Sequence, residues 1–242
     1  MMLVTVAGPP SSGKTSIVVR VLDQLKKDGL RVGAVKFDCL SSTDALAYQN
    51  AGIPVQTGLS GNQCPDHYFI TNIEACVAWA QEEKFDLLVT ESAGLCNRCA
   101  PHIKGCLAVC VLDNLSGLNT PLKVGPMLRT ADLILVTKGD IVSQAEREVY
   151  AWRVRQANRT ADIVFVNGIN GQGVFDVVRL WRAGMSESVI QGSRLRFPVP
   201  AAVCSYCLGE TKIGEAFQKG NVKHIKLTQA ITPESVVAGS NA

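Results

Sequence analysis

Apolar residues follow two patterns along this chain. Short apolar runs have the character of buried strands, and they lie at residues 2–7, 31–37, 85–90, 107–112, 132–137 and 163–166. Other stretches repeat their apolar residues at helical spacing, at residues 17–25, 42–50, 68–83, 143–156 and 174–182. Strands that alternate with helices predict an α/β fold, with a mostly parallel sheet covered by helices on both faces.

The alternation of strands and helices fades from about residue 184. Pro198 and Pro200 then mark a break, because proline lacks a backbone donor and restricts the residue before it. We therefore expect a main domain at residues 1–183 and a small C-terminal extension at residues 184–242, whose last residues form a frayed tail.

The composition is that of a globular protein. The chain has 242 residues, of which 47% are hydrophobic, and a net charge of +3. This excludes wholesale disorder, and the weak charge gives no reason to expect a nucleic-acid or membrane partner. No apolar run approaches the ~18 residues that span a bilayer, and the N-terminus lacks the pattern of a secretory leader. We expect a cytoplasmic protein, in which the nine cysteines suit metal or redox chemistry better than disulfides.

A phosphate-binding motif connects the first predicted strand to the first predicted helix. Residues 8–15 read G-P-P-S-S-G-K-T and fit G-x-x-x-x-G-K-[ST]. In such a loop the backbone N–H groups surround the phosphates, the lysine reaches the β- and γ-phosphates, and the last hydroxyl binds Mg²⁺. The sequence therefore predicts a P-loop NTPase. The expected nucleotide contacts are Gly8, Ser11, Ser12, Gly13, Lys14, Thr15 and Ser16.

A second motif concerns the nucleotide base. Thr137, Lys138 and Asp140 end a predicted strand and read T-K-x-D, a variant of the guanine-specifying N-K-x-D. An aspartate at this position can accept hydrogen bonds from N1–H and N2–H₂ of guanine, which adenine does not present together. Asn167 follows the next predicted strand, where a second base-contacting loop is expected. This pattern favours GTP and GDP over adenine nucleotides.

Two further predicted strands end in carboxylates, Asp38 and Glu91. Either carboxylate could hold Mg²⁺ or orient the attacking water, and Gly94 is a candidate sensor of the γ-phosphate. We therefore predict Lys14, Asp38 and Glu91 as catalytic residues. Thr15, Asp38 and Glu91 are the predicted Mg²⁺ ligands.

The order of these motifs resembles the nickel-insertion GTPases of hydrogenase and urease maturation, the HypB and UreG type of the SIMIBI class of P-loop GTPases. The resemblance covers roughly residues 4–181. Asp38 with residues 43–45 is similar to the acidic loop of that family, and Glu91 with Gly94 is similar to its Glu-x-x-Gly switch. Residues 63–67 resemble its Cys-Pro-His metal motif, with one extra residue before the histidine.

The resemblance implies a mechanism. GTP would close a homodimer across the nucleotide face, and Cys64 and His67 would bind a metal ion, typically nickel. Hydrolysis would then release the metal to a client metalloenzyme or its assembly proteins. The extra residue, Asp66, is a departure from the family's motif.

Two C-x-x-C pairs depart from that family pattern, which usually has one cysteine after the switch and does not include the C-terminal pair. Cys96 and Cys99 follow the switch, and Cys204 and Cys207 lie in the extension. Paired thiolates suit a structural zinc site or a [4Fe–4S] cluster, either shared between the two pairs or assembled across a dimer axis. Because Cys96 lies two residues after Gly94, a γ-phosphate-driven movement of the switch would move the first pair directly.

The leading hypothesis is a metallochaperone with slow, Mg²⁺-dependent GTPase activity, which holds nickel, zinc or an iron–sulfur cluster for assembly of a metalloenzyme. One alternative is a P-loop small-molecule kinase or nucleotide-dependent synthetase, which has no need of the T-K-x-D signature or of Cys64 and His67. Another is a nucleotide-binding scaffold stabilised by zinc, whose cysteine variants would unfold.

Overall fold

The computed structural model describes residues 1–94, 100–184, 186–197, 210–217 and 222–228. Four of the predicted metal ligands lie outside these residues, namely Cys96, Cys99, Cys204 and Cys207.

Within the described residues, one parallel sheet contains seven strands in the order β3-β2-β4-β1-β5-β6-β7. The strands are β1 (Met2–Ala7), β2 (Val32–Asp38), β3 (Val55–Leu59), β4 (Leu87–Glu91), β5 (Leu107–Asp113), β6 (Leu133–Thr137) and β7 (Asp162–Phe165). The α-helices are α1 (Lys14–Lys27), α2 (Ala45–Asn50), α3 (Pro65–Glu82), α4 (Thr120–Lys123), α5 (Pro126–Arg129), α6 (Gln144–Ala157) and α7 (Val174–Ala183). The predicted fold class is confirmed.

Alternate residues of each strand face opposite sides of the sheet, and both sides are covered. Val4 and Val6 of β1 point into a core formed with α1 and α7, where Leu22 and Trp181 are fully buried. Leu3 points to the other side, which is covered by α3 and, further along the sheet, by the region of α4 to α6. Among the described residues, no helix is both long enough and apolar enough to cross a membrane.

The described part of the extension packs against α3. Leu195 and Ile213 are buried in the same core cluster as α3. The side-chain amides of Gln56 in β3 and Asn72 in α3 each make hydrogen bonds with backbone groups of residues 222–228. The described part of the extension therefore contacts both α3 and β3, while the boundary after residue 183 stays a prediction.

His102 is a buried residue that joins β1 to α5. Its Nε2 lies 3.1 Å from the carbonyl oxygen of Met127, and its Nδ1 lies 3.0 Å from Thr5 Oγ1. Since a carbonyl can only accept, Nε2 carries the proton and Nδ1 accepts from the threonine hydroxyl. Burial lowers the pKa of His102 to about 4, so the ring is neutral at physiological pH.

We expect His102→Gln to remove a pH dependence of stability. In the unfolded chain the histidine is protonated below about pH 6.5, whereas in the folded protein it stays neutral down to about pH 4. Protonation therefore favours the unfolded state, and wild-type stability falls as the pH drops through this window. The free energy of unfolding, measured with urea between pH 7.5 and 4.5, should fall by about 3 kcal/mol more in the wild type than in the variant. The exposed His224→Gln variant should keep the wild-type slope, and parallel curves for His102→Gln would contradict this assignment.

Candidate functional site

The predicted nucleotide contacts gather at one edge of the sheet, since parallel strands bring their carboxyl ends to the same side. The loop after β1 leads into α1 there, and Gly94, after β4, lies against it. Gly94 has a φ of +72°, and a Cβ at this position would be 1.7 Å from the carbonyl oxygen of Gly8 and 3.4 Å from Lys14 Nζ. Only glycine allows the switch segment to approach the phosphate-binding loop so closely.

The side chain of Lys14 is held inside the phosphate-binding loop by backbone carbonyl groups of that loop. Its ammonium group donates to the carbonyl oxygens of Gly8, at 3.0 Å, and Pro9, at 2.9 Å. Burial lowers the pKa of Lys14, and the nearby carboxylate of Glu91 opposes that effect. A buried ammonium group at the start of α1 is suited to binding an anion.

Four polar side chains converge beside Thr15. The Thr15 hydroxyl lies 2.8 Å from Glu91 Oε1 and 3.1 Å from Asp44 Oδ2. Lys36 forms ion pairs with both carboxylates, and the hydroxyl of Tyr48 donates to Glu91 Oε2 at 2.7 Å. We call Thr15, Lys36, Asp44, Tyr48 and Glu91 the Thr15 cluster.

The backbone register explains this cluster. Lys36 in β2 is the direct pairing partner of Glu91 in β4, so the two side chains leave the sheet side by side. Both are buried, with 5% and 1% of the side chains exposed. Burial alone would lower the pKa of Lys36, but Glu91 and Asp44 outweigh it and raise that pKa. Lys36 is therefore a buried cation within a cluster of oxygen atoms.

Asp38 and Asp44, at and after the end of β2, have different partners. The Asp38 carboxylate accepts a hydrogen bond from the backbone N–H of Cys39, at 3.0 Å. Asp44, six residues later, is the aspartate that contacts Thr15 and Lys36. Sequence reasoning assigned no role to Lys36 or Tyr48; a lone lysine in the apolar strand Val32–Asp38 was the available signal.

Several observations fit a Mg²⁺–nucleotide ligand at this edge. Thr15, Asp44 and Glu91 present hydroxyl and carboxylate oxygens, which are the donors that Mg²⁺ prefers. The hydroxyls of Ser12 and Ser92 are buried beside the loop without a hydrogen-bond partner in the described structure. Buried polar atoms of this kind call for an explanation, and a bound phosphate oxygen would satisfy them.

The predicted base-binding residues lie beside the same loop. Thr137 donates from Oγ1 to the carbonyl oxygen of Ser12 at 2.8 Å. Lys138 donates to the carbonyl oxygen of Ser11 at 3.1 Å and forms an ion pair with Asp113. These contacts connect the end of β6 to the phosphate-binding loop.

Asp140 and Asn167 line a common cleft. Asp140 is exposed, so its carboxylate is available to a ligand. The side-chain oxygen of Asn167 accepts from the backbone N–H groups of Ile169, at 2.7 Å, and Asn170, at 3.1 Å. Asn167 therefore shapes the loop after β7, and Arg20 of α1 holds the same loop through the carbonyl oxygens of Gly168 and Ile169.

Cys64 and His67 lie at the start of α3. Cys64 is the half-buried residue that precedes the helix, and His67 is buried in its first turn. The intervening Asp66 is also buried; burial raises the pKa of its carboxyl group to about 6, and the charge of Lys14 opposes that shift. Within the part of the chain that the structure describes, no group of three or more His, Cys, Asp or Glu side chains is arranged to hold a metal ion.

Comparison with known proteins identifies the family. Residues 2–165 match the family described as CobW/HypB/UreG, nucleotide-binding domain. The chain belongs to this family. An uncharacterized protein of Methanocaldococcus jannaschii is 43% identical over 225 residues, which cover 93% of this chain and 96% of that protein.

Two further relatives have names that describe a function or a ligand. The hydrogenase maturation factor HypB of Azotobacter vinelandii is 25% identical over 206 residues, which cover 83% of this chain and 64% of that protein. The crystal structure of HypB from Helicobacter pylori, a complex with nickel, has a TM-score of 0.58 at 17% identity and covers 78% of this chain and 91% of that one. The structural likeness shows a shared fold.

We expect Gly94→Ala to weaken nucleotide binding in this CobW/HypB/UreG domain. The added Cβ would meet the Gly8 carbonyl oxygen at 1.7 Å, so the switch segment or the loop must move. The affinity for fluorescent guanosine and adenosine nucleotides should fall at least about tenfold, or roughly 1.4 kcal/mol.

Gly105→Ala is the matched control. Gly105 also has a left-handed φ, +79°, but a Cβ there would meet nothing within 4 Å. The Gly105→Ala variant should be slightly less stable because of backbone strain, and its nucleotide affinity should equal that of the wild type. Equal affinities of the two variants would show that the contact between Gly94 and Gly8 does not shape the binding loop.

Proposed function

We propose that this protein is a GTP-dependent metallochaperone that helps to assemble a metalloenzyme. The observation that carries the proposal is the contact of the switch glycine, Gly94, with the phosphate-binding loop, next to the hydrogen bond between Glu91 and Thr15. In this arrangement a triphosphate bound at Lys14 lies against the segment that would report its presence. The family membership of the chain supports the same reading.

The proposed reaction is slow hydrolysis of GTP. Mg²⁺, held by Thr15 and by carboxylates of the Thr15 cluster, would neutralise phosphate charge. Lys14 binds the β- and γ-phosphates, and the loop backbone orients them. Both oxygens of Glu91 already have protein partners, on Thr15, Lys36 and Tyr48. We therefore assign orientation of the attacking water to Asp38 and positioning of the Thr15 hydroxyl to Glu91.

The proposed base preference is for guanine. Asp140 is exposed in the cleft that it shares with Asn167, and its carboxylate can accept from two guanine donors. Thr137 and Lys138 hold the loop in place from the phosphate side. An adenine in the same cleft would leave the carboxylate without those donors.

The proposed cargo is a transition-metal ion, nickel or zinc, or an iron–sulfur cluster. Cys64 and His67 supply two ligands at the start of α3. Further ligands would come from a second copy of the chain in a GTP-bound homodimer, or from the pairs Cys96/Cys99 and Cys204/Cys207. HypB of Helicobacter pylori, which shares this fold, was crystallised with nickel. The recipient would be a client metalloenzyme or its assembly proteins in the cytoplasm.

We expect Asp140→Ala to relax the preference for guanine. The variant loses a charge-assisted pair of hydrogen bonds, so its GDP affinity should fall about 10–100-fold, equivalent to about 1.5–3 kcal/mol. Its ADP affinity should change little, as measured by isothermal titration calorimetry. Asp162→Asn, an exposed aspartate at the opposite end of the sheet, should leave both affinities unchanged. A GDP affinity that survives the loss of Asp140 would refute the base assignment.

A metal-binding test separates the metallochaperone from its alternatives. Nickel and zinc binding, measured by calorimetry on protein purified without oxygen, should differ between the GTP-analogue and GDP states. Cys64→Ser and His67→Gln should each weaken binding at least about tenfold, whereas the exposed His224→Gln should not. Free phosphate should appear without an added acceptor. Identical metal affinities in both nucleotide states would overturn the proposal, and formation of GDP together with a phosphorylated acceptor, without free phosphate, would favour a kinase.

A further inference from the structure

Lys36 is the unusual member of the Thr15 cluster. Strand β2 is otherwise built of apolar residues and glycine up to Asp38, and a lysine inside it is expensive to bury unless carboxylates surround it. Its ammonium group forms ion pairs with Glu91 Oε1 and, at 2.7 Å, with Asp44 Oδ2. Thr15 Oγ1 lies 3.5 Å away. Three segments of the chain thus direct oxygen atoms at one buried cation.

The same oxygen atoms form the donor set that suits Mg²⁺. Thr15 Oγ1 contacts Glu91 Oε1 and Asp44 Oδ2, which are the two atoms that neutralise Lys36. An ammonium group and a divalent cation that share these carboxylate oxygens would repel each other strongly at such short range. One cation must therefore leave, or move away, when the other binds.

We propose that Lys36 is a tethered cation that competes with Mg²⁺ for Thr15, Asp44 and Glu91. Without Mg²⁺ the lysine keeps the two carboxylates together and holds the threonine hydroxyl in position. When Mg²⁺ binds, the ammonium group of Lys36 loses its ion pairs with Glu91 and Asp44. The lysine thereby sets the Mg²⁺ concentration at which the site fills. This inference rests on the proposed Mg²⁺–nucleotide function of the same site.

The two carboxylates differ in their freedom to follow the lysine. Glu91 is enclosed, with 1% of its side chain exposed, and Tyr48 fixes its second oxygen. Asp44 is 41% exposed and precedes the short helix α2. Replacement of the Lys36 ammonium group by Mg²⁺ therefore changes the contacts of Asp44 and the loop before α2 first, while Glu91 stays in place.

The decisive variant is Lys36→Met, which keeps the unbranched apolar stem of the side chain and removes the charged ammonium group. Mn²⁺ serves as the probe, because free and bound Mn²⁺ are distinguished by electron paramagnetic resonance. The full-length variant should bind Mn²⁺ at least about tenfold more tightly than the wild type, both with saturating GDP and without nucleotide. Mg²⁺ should displace the probe at correspondingly lower concentrations. Unchanged or weaker Mn²⁺ binding by a folded Lys36→Met protein would overturn the proposal.

Two controls belong to this experiment. Lys36→Arg keeps the positive charge and should not gain Mn²⁺ affinity. Lys26→Met removes a lysine that bonds only the carbonyl oxygens of Ala51 and Gly52 among the contacts described for it, and it should bind Mn²⁺ like the wild type. Thermal melts establish that each variant is folded.

A second measurement covers the case in which Lys36→Met does not fold. Lysine NH₃⁺ groups in ion pairs give separate ¹H–¹⁵N signals, and the Lys36 signal is the one missing in Lys36→Arg. Saturating Mg²⁺ with GDP should shift or broaden this signal in the wild type, and an unmoved signal would refute competition. GDP binding is measured on the same samples. If the wild type does not bind GDP but its Lys36 signal still responds to Mg²⁺, the proposed function is refuted while the competition between Lys36 and Mg²⁺ is supported.

Discussion

The buried ion pair between Lys36 and Glu91 is the interaction on which the described site depends. The parallel register of β2 and β4 sets the two residues side by side, and each is too deeply buried to be stable as a charge on its own. Removing one partner of such a pair leaves the other uncompensated, at a cost of about 3–5 kcal/mol. Since Thr15 and Asp44 bond to the same two side chains, the pair also fixes the start of α1 and the loop before α2.

Much of the architecture could be predicted because its signals are local. The motif from Gly8 to Thr15 needs only a strand before it and a helix after it, and both are present. Strand β3, Val55–Leu59, was not predicted. It is a five-residue strand at the edge of the sheet and contains Gly58, so neither length nor β-propensity distinguishes it from a loop. Its hydrogen bonds with β2 and its contact through Gln56 with the extension are both tertiary.

The Thr15 cluster shows a different limit of sequence reasoning. A carboxylate at the end of a strand is a visible signal, and it selected Glu91, whose Oε1 lies 2.8 Å from the Thr15 hydroxyl; the Mg²⁺-binding role of Glu91 stays a prediction. The same signal selected Asp38, whereas the structure brings Asp44 to the threonine. Which of these two aspartates reaches Thr15 depends on the path of the loop after β2. A sequence pattern does not predict that path. It also does not predict the contacts of Lys36, which arise because β2 pairs with β4.

The proposed function requires the nucleotide state to influence the predicted metal ligands, and two segments of the chain are candidates for this coupling. One passes through Gly94 to Cys96 and Cys99, which lie outside the described residues. The other lies at the start of α3, where the buried Asp66 stands between Cys64 and His67 in the chain. A carboxyl group buried this deeply is sensitive to any charge placed near it, because the surrounding protein screens charges weakly. Because Asp66 belongs to the first turn of α3, a displacement of this residue would also move Cys64 and His67, which lie within two residues of it in the chain.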